Sequence, residues 1–227
     1  MEPARRVRAD AERNRARIVN AARALFAREG LTVSMAAVAR EAGVGKATLA
    51  RHFTSPQELL VAVFADRMDA YIRAAAEALA DKDPWRGFEQ FIWAVCEMQA
   101  QDRGFADVLT LTFPSAENLE ERRLAAHDGF VQLIARAKAS GHLRSDFESE
   151  DLVLLLMANA GVISATANDA PESWRRFVAQ VLRSYATPDA PMPPLPPAPS
   201  SDDLYRAMAR ASRSRTDSTA VPRQRRR

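Results

Sequence analysis

At 227 residues with a net charge of +3, the chain has room for a small domain, a sizeable partner domain and a tail, and its 47 % apolar content, with few β-branched clusters, favours an all-α protein. The single Cys96 excludes an internal disulfide framework and a CxxC metal site, and neither an eighteen-residue apolar run nor an apolar leader core is present, so a soluble, cytoplasmic chain with no membrane partner is expected. Charge is unevenly spread: residues 1–52 hold eleven Lys/Arg against five Asp/Glu, residues 53–199 thirteen against twenty-one, and residues 200–227 eight against three, as when only one end of a molecule meets nucleic acid.

Residues 1–9 read as a flexible basic arm in which Arg5, Arg6 and Arg8 either reach toward DNA or stay solvated. A first helix is predicted from Asp10 to Arg28, with Ile18, Ala22, Leu25 and Phe26 inward and Gly30 ending it. Ser34 is placed to cap a second helix carrying Met35, Val38 and Ala39, and Gly43 falls where a helix ends in a left-handed residue. A third, short helix follows within two or three residues. At 100° per residue, Leu49 and Phe53 share its inner side, while Ala47 and Arg51 centre the outer one, flanked by Thr48 and Ala50. Lys46 in the first turn and nearby His52 complete a face that is poor core material and well suited to phosphates and base edges. Residues 10–54 thus form a three-helix unit containing helix, tight turn, helix.

The stretch TVSMAAVAREAGVGKATLARHFTSPQELL resembles the N-terminal DNA-binding region of TetR-type transcriptional regulators, over roughly residues 14 to 64. The resemblance implies that the second helix of the motif enters the major groove and that Ser34, Lys46, Ala47, Thr48, Arg51 and His52 meet DNA. By chemistry, Lys46 and His52 suit phosphates, Thr48 a phosphate or a base edge, Arg51 a guanine, and Ala47 close approach or a thymine methyl. Two positions depart from the family pattern: the usual aromatic before the Arg-His pair is Ala50, and the usual basic residue opening the next helix is Pro56.

Residues 55–187 read as a helical regulatory and dimerisation domain. Ser55-Pro56-Gln57-Glu58 has the form of a capping box with Pro at the first helical position, and Leu60, Phe64, Met68 and Ile72 carry that helix to about Ala80 as a rod between head and body. Pro84 opens a helix striped by Trp85, Phe88, Phe91, Ile92, Val95 and Cys96. A short helix spans about Phe105 to Leu111, stopped by Pro114. Ser115 to Ser140 follows, with Leu124, His127, Val131 and Ile134 along its inner side. Ser149 to about Asn168 and Pro171 to Tyr185 complete about nine helices with no convincing strand. Residues 188–227 form a Pro-rich and basic tail. Within it SSDDLYRAMARAS has the pattern of one short helix with Leu204, Tyr205 and Met208 on a side, and RQRRR ends the chain.

The segment LVLLLMANAGVISATA is apolar nearly all round and therefore needs a second buried surface. Ala158, Gly161 and Ala165 would let another backbone approach. It is either the central helix of a monomer or half of an interface. TetR-like proteins pair their last two helices across a two-fold axis, which implies a homodimer and adds Val178, Val181 and Leu182 as interface candidates. The segment from Pro84 to Tyr185, including SGHLRSDFESEDL, faintly resembles the SbtR-like C-terminal group. Phe88, Phe91, Cys96, Phe105, His127, Phe130 and Met157 either line an effector cavity or fill the core. His127 is then a polar anchor or a hydrogen-bonded core imidazole.

Enzymatic motifs fail. GVGKAT echoes a phosphate-binding loop, but Arg40 stands where its first Gly belongs and Ala47 where Ser or Thr must hold magnesium. HExxH, GxSxG and GxGxxG are missing, and His52, His127 and His142 lack metal-ligand spacing. No catalytic residue, metal or cofactor is called for. The resemblance implies a dimeric repressor, released from a palindromic double-stranded DNA operator by a small-molecule effector. A ligand-independent DNA-binding or architectural protein is the alternative.

Overall fold

The computed structural model describes the backbone of residues 2–110 and 117–219, and the side chains of residues 10–110 and 121–212. Ten α-helices and no strand occur among these residues: α1 (Glu2–Glu29), α2 (Met35–Glu41), α3 (Lys46–His52), α4 (Pro56–Ala80), α5 (Pro84–Gln101), α6 (Arg103–Thr110), α7 (Glu117–Ala139), α8 (Ser149–Thr166), α9 (Ser173–Tyr185) and α10 (Ser201–Thr219). The tenth is the tail helix. One isolated bridge, Leu143 to Ala186, ties the loop after α7 to the end of α9. α1 begins upstream of the expected Asp10 and takes in most of the stretch read as an arm. The side chains of Arg5, Arg6 and Arg8, the Pro114 stop, the start at Ser115 and the terminal RQRRR lie outside the described residues.

One apolar core runs through head and body. In the head, Ile18, Ala22, Leu25 and Phe26 of α1 meet Val38, Leu49 and Phe53. From there rings continue inward, Phe26 stacked on Phe64 of α4 at 6.0 Å and Phe64 beside Phe105 of α6 at 6.2 Å. At the α6–α1 joint, a Cβ on Gly104 would lie 2.8 Å from Phe26 Cβ, so no side chain separates the two helices. The joint is also hydrogen-bonded, because Asp107 Oδ2 accepts from Leu31 N at 3.0 Å.

α4 starts as the sequence predicts but with a different partner. Ser55 Oγ accepts from Glu58 N at 3.1 Å, while Glu58 reaches past Ser55 and accepts from Thr54 N and Thr54 Oγ1 at 2.7 and 3.0 Å. Those bonds hold the Glu58 carboxyl below its ordinary range.

α7 is turned from the expected orientation. Ala126, Phe130, Leu133, Ile134 and Ala137 are buried, whereas Leu124 is 62 % and Val131 45 % exposed, and His127 is also exposed. Contacts along α4 set this rotation. Arg122 pairs with Asp69, Arg136 Nη2 donates to Asp81 O at 2.9 Å, and Gly129 sits so close that a Cβ there would be 3.1 Å from Ala75 Cβ. Gly129 thus lies against the rod, while Leu124 and Val131 point away from the core.

α8 is covered on one side only. Leu152, Leu155, Leu156 and Asn159 are buried, and Leu154, Met157, Ala158, Gly161 and Ala165 face outward. By length and composition alone it is apolar enough to cross a membrane, but its inner side packs on α5, α6 and α9. The proline-rich segment returns over the body, with Pro191, Pro193 and Pro196 carbonyls accepting from Trp85 Nε1, Arg183 and Arg176 at 3.2, 2.7 and 2.5 Å. α10 then lies against α8, clamped by Arg210 on Asp169 at 3.1 Å. Among its described side chains the buried one is Ala207. Tyr205 and Met208 are exposed and Leu204 is at the margin, so the expected stripe does not face the body.

Candidate nucleic-acid interface

Each terminus in the head is made by a specific residue. Ser34 sits in extended conformation and its Oγ accepts from Ala37 N at 3.2 Å, starting α2. Gly43 has φ +63, which only glycine adopts at little cost, and its N–H returns to Arg40 O at 3.1 Å while Val44 N reaches Ala39 O at 3.0 Å. Gly45 caps α3 through its carbonyl, which accepts from Thr48 N at 2.9 Å. Leu49 and Phe53 are buried beneath it.

What remains outward on α3 is the face read from the sequence. Lys46, Ala47, Ala50 and Arg51 are exposed, Thr48 and His52 are half-buried, and Ser34 is exposed at the start of α2. None of the six candidates is buried, and Ala47, Thr48 and Arg51 fall within about 100° of one another on α3. A short helix presenting two cations, a hydroxyl and small residues has the shape and charge to enter a major groove.

Two supporting residues escaped the sequence reading. Arg17 Nη2, from α1, donates to Ala42 O at 2.8 Å and to Gly43 O at 3.4 Å, pinning the turn between the two motif helices. The Arg15 guanidinium lies 5.1 Å from the centre of the Phe53 ring. Arg17 stands on the polar side of α1, where periodicity marks only solvent exposure, and Arg15 continues the register of Ile18 and Ala22 toward the N-terminus as an exposed cation.

Comparison with known proteins agrees with this geometry. Residues 18–63 match the family described as bacterial regulatory proteins, tetR family, and residues 83–183 match the SbtR-like transcriptional regulator C-terminal domain. A TetR transcription regulatory protein from Mycobacterium vanbaalenii is 32 % identical, covering 80 % of this chain and 99 % of its own, with a TM-score of 0.47. The chain belongs to the TetR family. An HTH-type transcriptional regulator of Staphylococcus aureus (strain USA300) is 40 % identical over 67 residues, which is 29 % of this chain and 36 % of that relative, so the match spans about a third of its length. The transcriptional regulator FadR from Bacillus subtilis, in complex with stearoyl-CoA, shares the fold at a TM-score of 0.56 and 15 % identity, over 74 % of this chain and 96 % of its own.

The body of this TetR-family regulator corrects several sequence expectations. Phe88, Phe91, Cys96, Phe105 and Phe130 are all fully buried, and Phe130 stacks on both Phe88 and Phe91 at 6.0 and 5.1 Å. Of the two places the sequence left open for these residues, a cavity lining or the core, they occupy the core. Burial pushes the Cys96 thiol up to about 12, as suits an inert core residue. Met157 is 53 % exposed on the outer side of α8, and His127 borders a surface cleft among α4, α6, α7 and α8. Of the interface candidates, Ala158, Gly161 and Ala165 face outward. Val178 and Leu182 do not: they are buried within the protomer because α9 turns them toward α5 and α8, leaving only Val181 half-exposed. A buried pair links α5 to α8, with Asn159 Nδ2 donating to Gln99 Oε1 at 2.9 Å and Gln99 Nε2 to Leu156 O at 3.1 Å. No group of three His, Cys, Asp or Glu side chains able to hold a metal occurs among the described residues.

Proposed function

We propose that this regulator is a cytoplasmic homodimeric repressor that reads a palindromic operator in double-stranded DNA and is released by a small-molecule effector. The observation carrying the reading is the outward face of α3, where Lys46, Ala47 and Arg51 are exposed while Leu49 and Phe53 lock the opposite side. In this reading Arg51 takes a base edge, with guanine its best partner, and Ala47 admits close approach. Thr48 takes a phosphate or a base edge, and Lys46, His52 and Ser34 take phosphates. Ala50 and Pro56 supply no such contact.

The second copy is seated on α8. Leu154, Met157, Ala158, Gly161 and Ala165 form an outward face without a charged residue, and a Cβ on Gly161 would meet nothing within 4 Å. Across a two-fold axis the small residues let two α8 helices approach, and each protomer offers one α3 to one half-site. α4, 25 residues and roughly 37 Å long at ~1.5 Å per residue, joins head to body. An effector that binds one arrangement of the body better than the other changes the spacing of the two α3 helices. The fold seen in FadR with stearoyl-CoA is consistent with such an effector.

The test is selection of bound sequences from a random DNA pool at stated salt. A palindrome with half-sites about one turn apart is expected. Salt-sensitive binding with no motif would replace this reading with the ligand-independent architectural one.

A further inference from the structure

We propose that the tail helix α10 is a clasp: its exposed Leu204, Tyr205 and Met208 pack on a second copy of the chain and extend the seat that α8 offers it. This rests on the reading of a homodimer seated on α8. It adds to that reading a segment beyond residues 83–183, the part matched by the C-terminal family model.

The tail is bolted to its own protomer, which fixes how α10 is turned. Arg183 and Arg176 stand two turns apart on α9, and the Pro193 and Pro196 carbonyls they hold are about 9 Å apart at the rise of a polyproline helix, close to the same span. The strap therefore runs antiparallel along α9 and delivers α10 to α8. There Arg206 and Arg210 reach the Asp169 carboxylate at 3.8 and 3.1 Å, and the buried Ala207 fills the contact. Two arginines and an alanine take the inner side. The larger apolar residues are left outside, Leu204 37 %, Tyr205 73 % and Met208 67 % exposed, the reverse of a helix whose outer side meets only water.

Interface size and continuity point to the second copy as what covers them. A stable interface takes about 20–30 residues a side, more than one face of the 18-residue α8 presents, so neighbouring elements must join it. α9 turns Val178 and Leu182 inward and offers little. Of the eight large apolar side chains exposed among the described residues, six lie on α8 and α10, and the three on α10 expose at least as much as Val153, Leu154 and Met157 do on α8. Because α10 packs on α8 itself, it stands about one helix diameter, ~10 Å, from α8, and so borders a partner seated on the open face of that helix. Under two-fold symmetry each tail helix then grips the opposite protomer.

The test is sedimentation of the full chain over a concentration series, beside two paired variants at exposed positions. Tyr205→Glu with Met208→Glu is expected to weaken the dimer about tenfold or more with helicity unchanged. Leu154→Glu with Met157→Glu, on the seat itself, should give a monomer. Hydrogen peroxide then probes the contact directly: Met208 should oxidise in that monomer as an open methionine does, and several-fold more slowly in the parent dimer, read by mass spectrometry. A dimer unmoved by Tyr205→Glu with Met208→Glu, or Met208 equally reactive in dimer and monomer, would overturn the clasp and leave the α8 seat standing. A parent chain that is monomeric throughout, or a dimer that survives Leu154→Glu with Met157→Glu, would remove the α8-seated reading and the clasp with it.

Discussion

Replacing Gly104 by alanine is the sharpest probe of how head and body are joined, because two effects of opposite sign compete there. Gly104 lies inside α6 with no positive φ, so in an open helix alanine would stabilise by about 1 kcal/mol. Here the added Cβ would lie 2.8 Å from Phe26 Cβ, 3.0 Å from Phe26 C and 2.9 Å from Phe64 Cζ. Two of those atoms belong to backbone or to the base of a side chain and cannot swing away, so α6 must separate from α1. Overpacking of this kind costs about 1–3 kcal/mol, and the joint also carries the Asp107 to Leu31 bond, which lengthens with it. The middle of that cost less the helix gain is a net loss of about 1 kcal/mol, which lowers Tm by roughly 2–4 °C for a chain of this size. Thermal and urea unfolding of the variant beside the parent chain measure it. An equal or higher Tm would refute the claim that α6 bears directly on α1.

Lys46→Ala together with Arg51→Ala is expected to abolish motif-specific DNA binding while leaving oligomeric state and helicity unchanged, checked by mobility shift and sedimentation; Lys46→Ala alone should lower the slope of log affinity against log salt by about one. Burial raises the Cys96 thiol to about 12, so it should resist a thiol reagent at pH 8 and react only as the chain unfolds in urea. Burial, aided by the neighbouring Asp83, raises Glu89 to about 7 against an ordinary 4.5, so the folded state holds the proton more tightly than the unfolded one. Glu89 therefore withdraws stability progressively as pH rises from about 4.5 to 7, and Glu89→Gln should flatten that part of the stability curve; an unchanged slope would count against a protonated Glu89.

The head was legible because each signal there is local. A serine cap, a glycine at φ +63 and an inner face of Leu49 and Phe53 can all be read within a few residues. Side-chain chemistry completed the outer face. The body was less legible because its faces are set by partners distant in sequence. On α7, Ala126 and Ala137 are buried and Gly129 lies against α4, and small residues carry little weight in a hydrophobic pattern, so Leu124 and Val131 pointed the reading the wrong way. On α8 both sides are apolar and no period separates covered from open. The aromatic residues of α5 were correctly placed inside, but whether rings touch or leave a cavity depends on α7, which comes some thirty residues later. Arg17 shows the same limit from the polar side, since nothing in its spacing announces the turn it holds.

The proline strap bears on the order of folding. Trp85, 1 % exposed at the start of α5, has its indole N–H on the carbonyl of Pro191, 106 positions along the chain. Closing so long a loop is entropically costly early on, yet the strap's prolines have little backbone freedom left to lose. During synthesis the Trp85 indole therefore gains this partner only after α6 to α9 have been made, and the strap closes over an α5 already laid down.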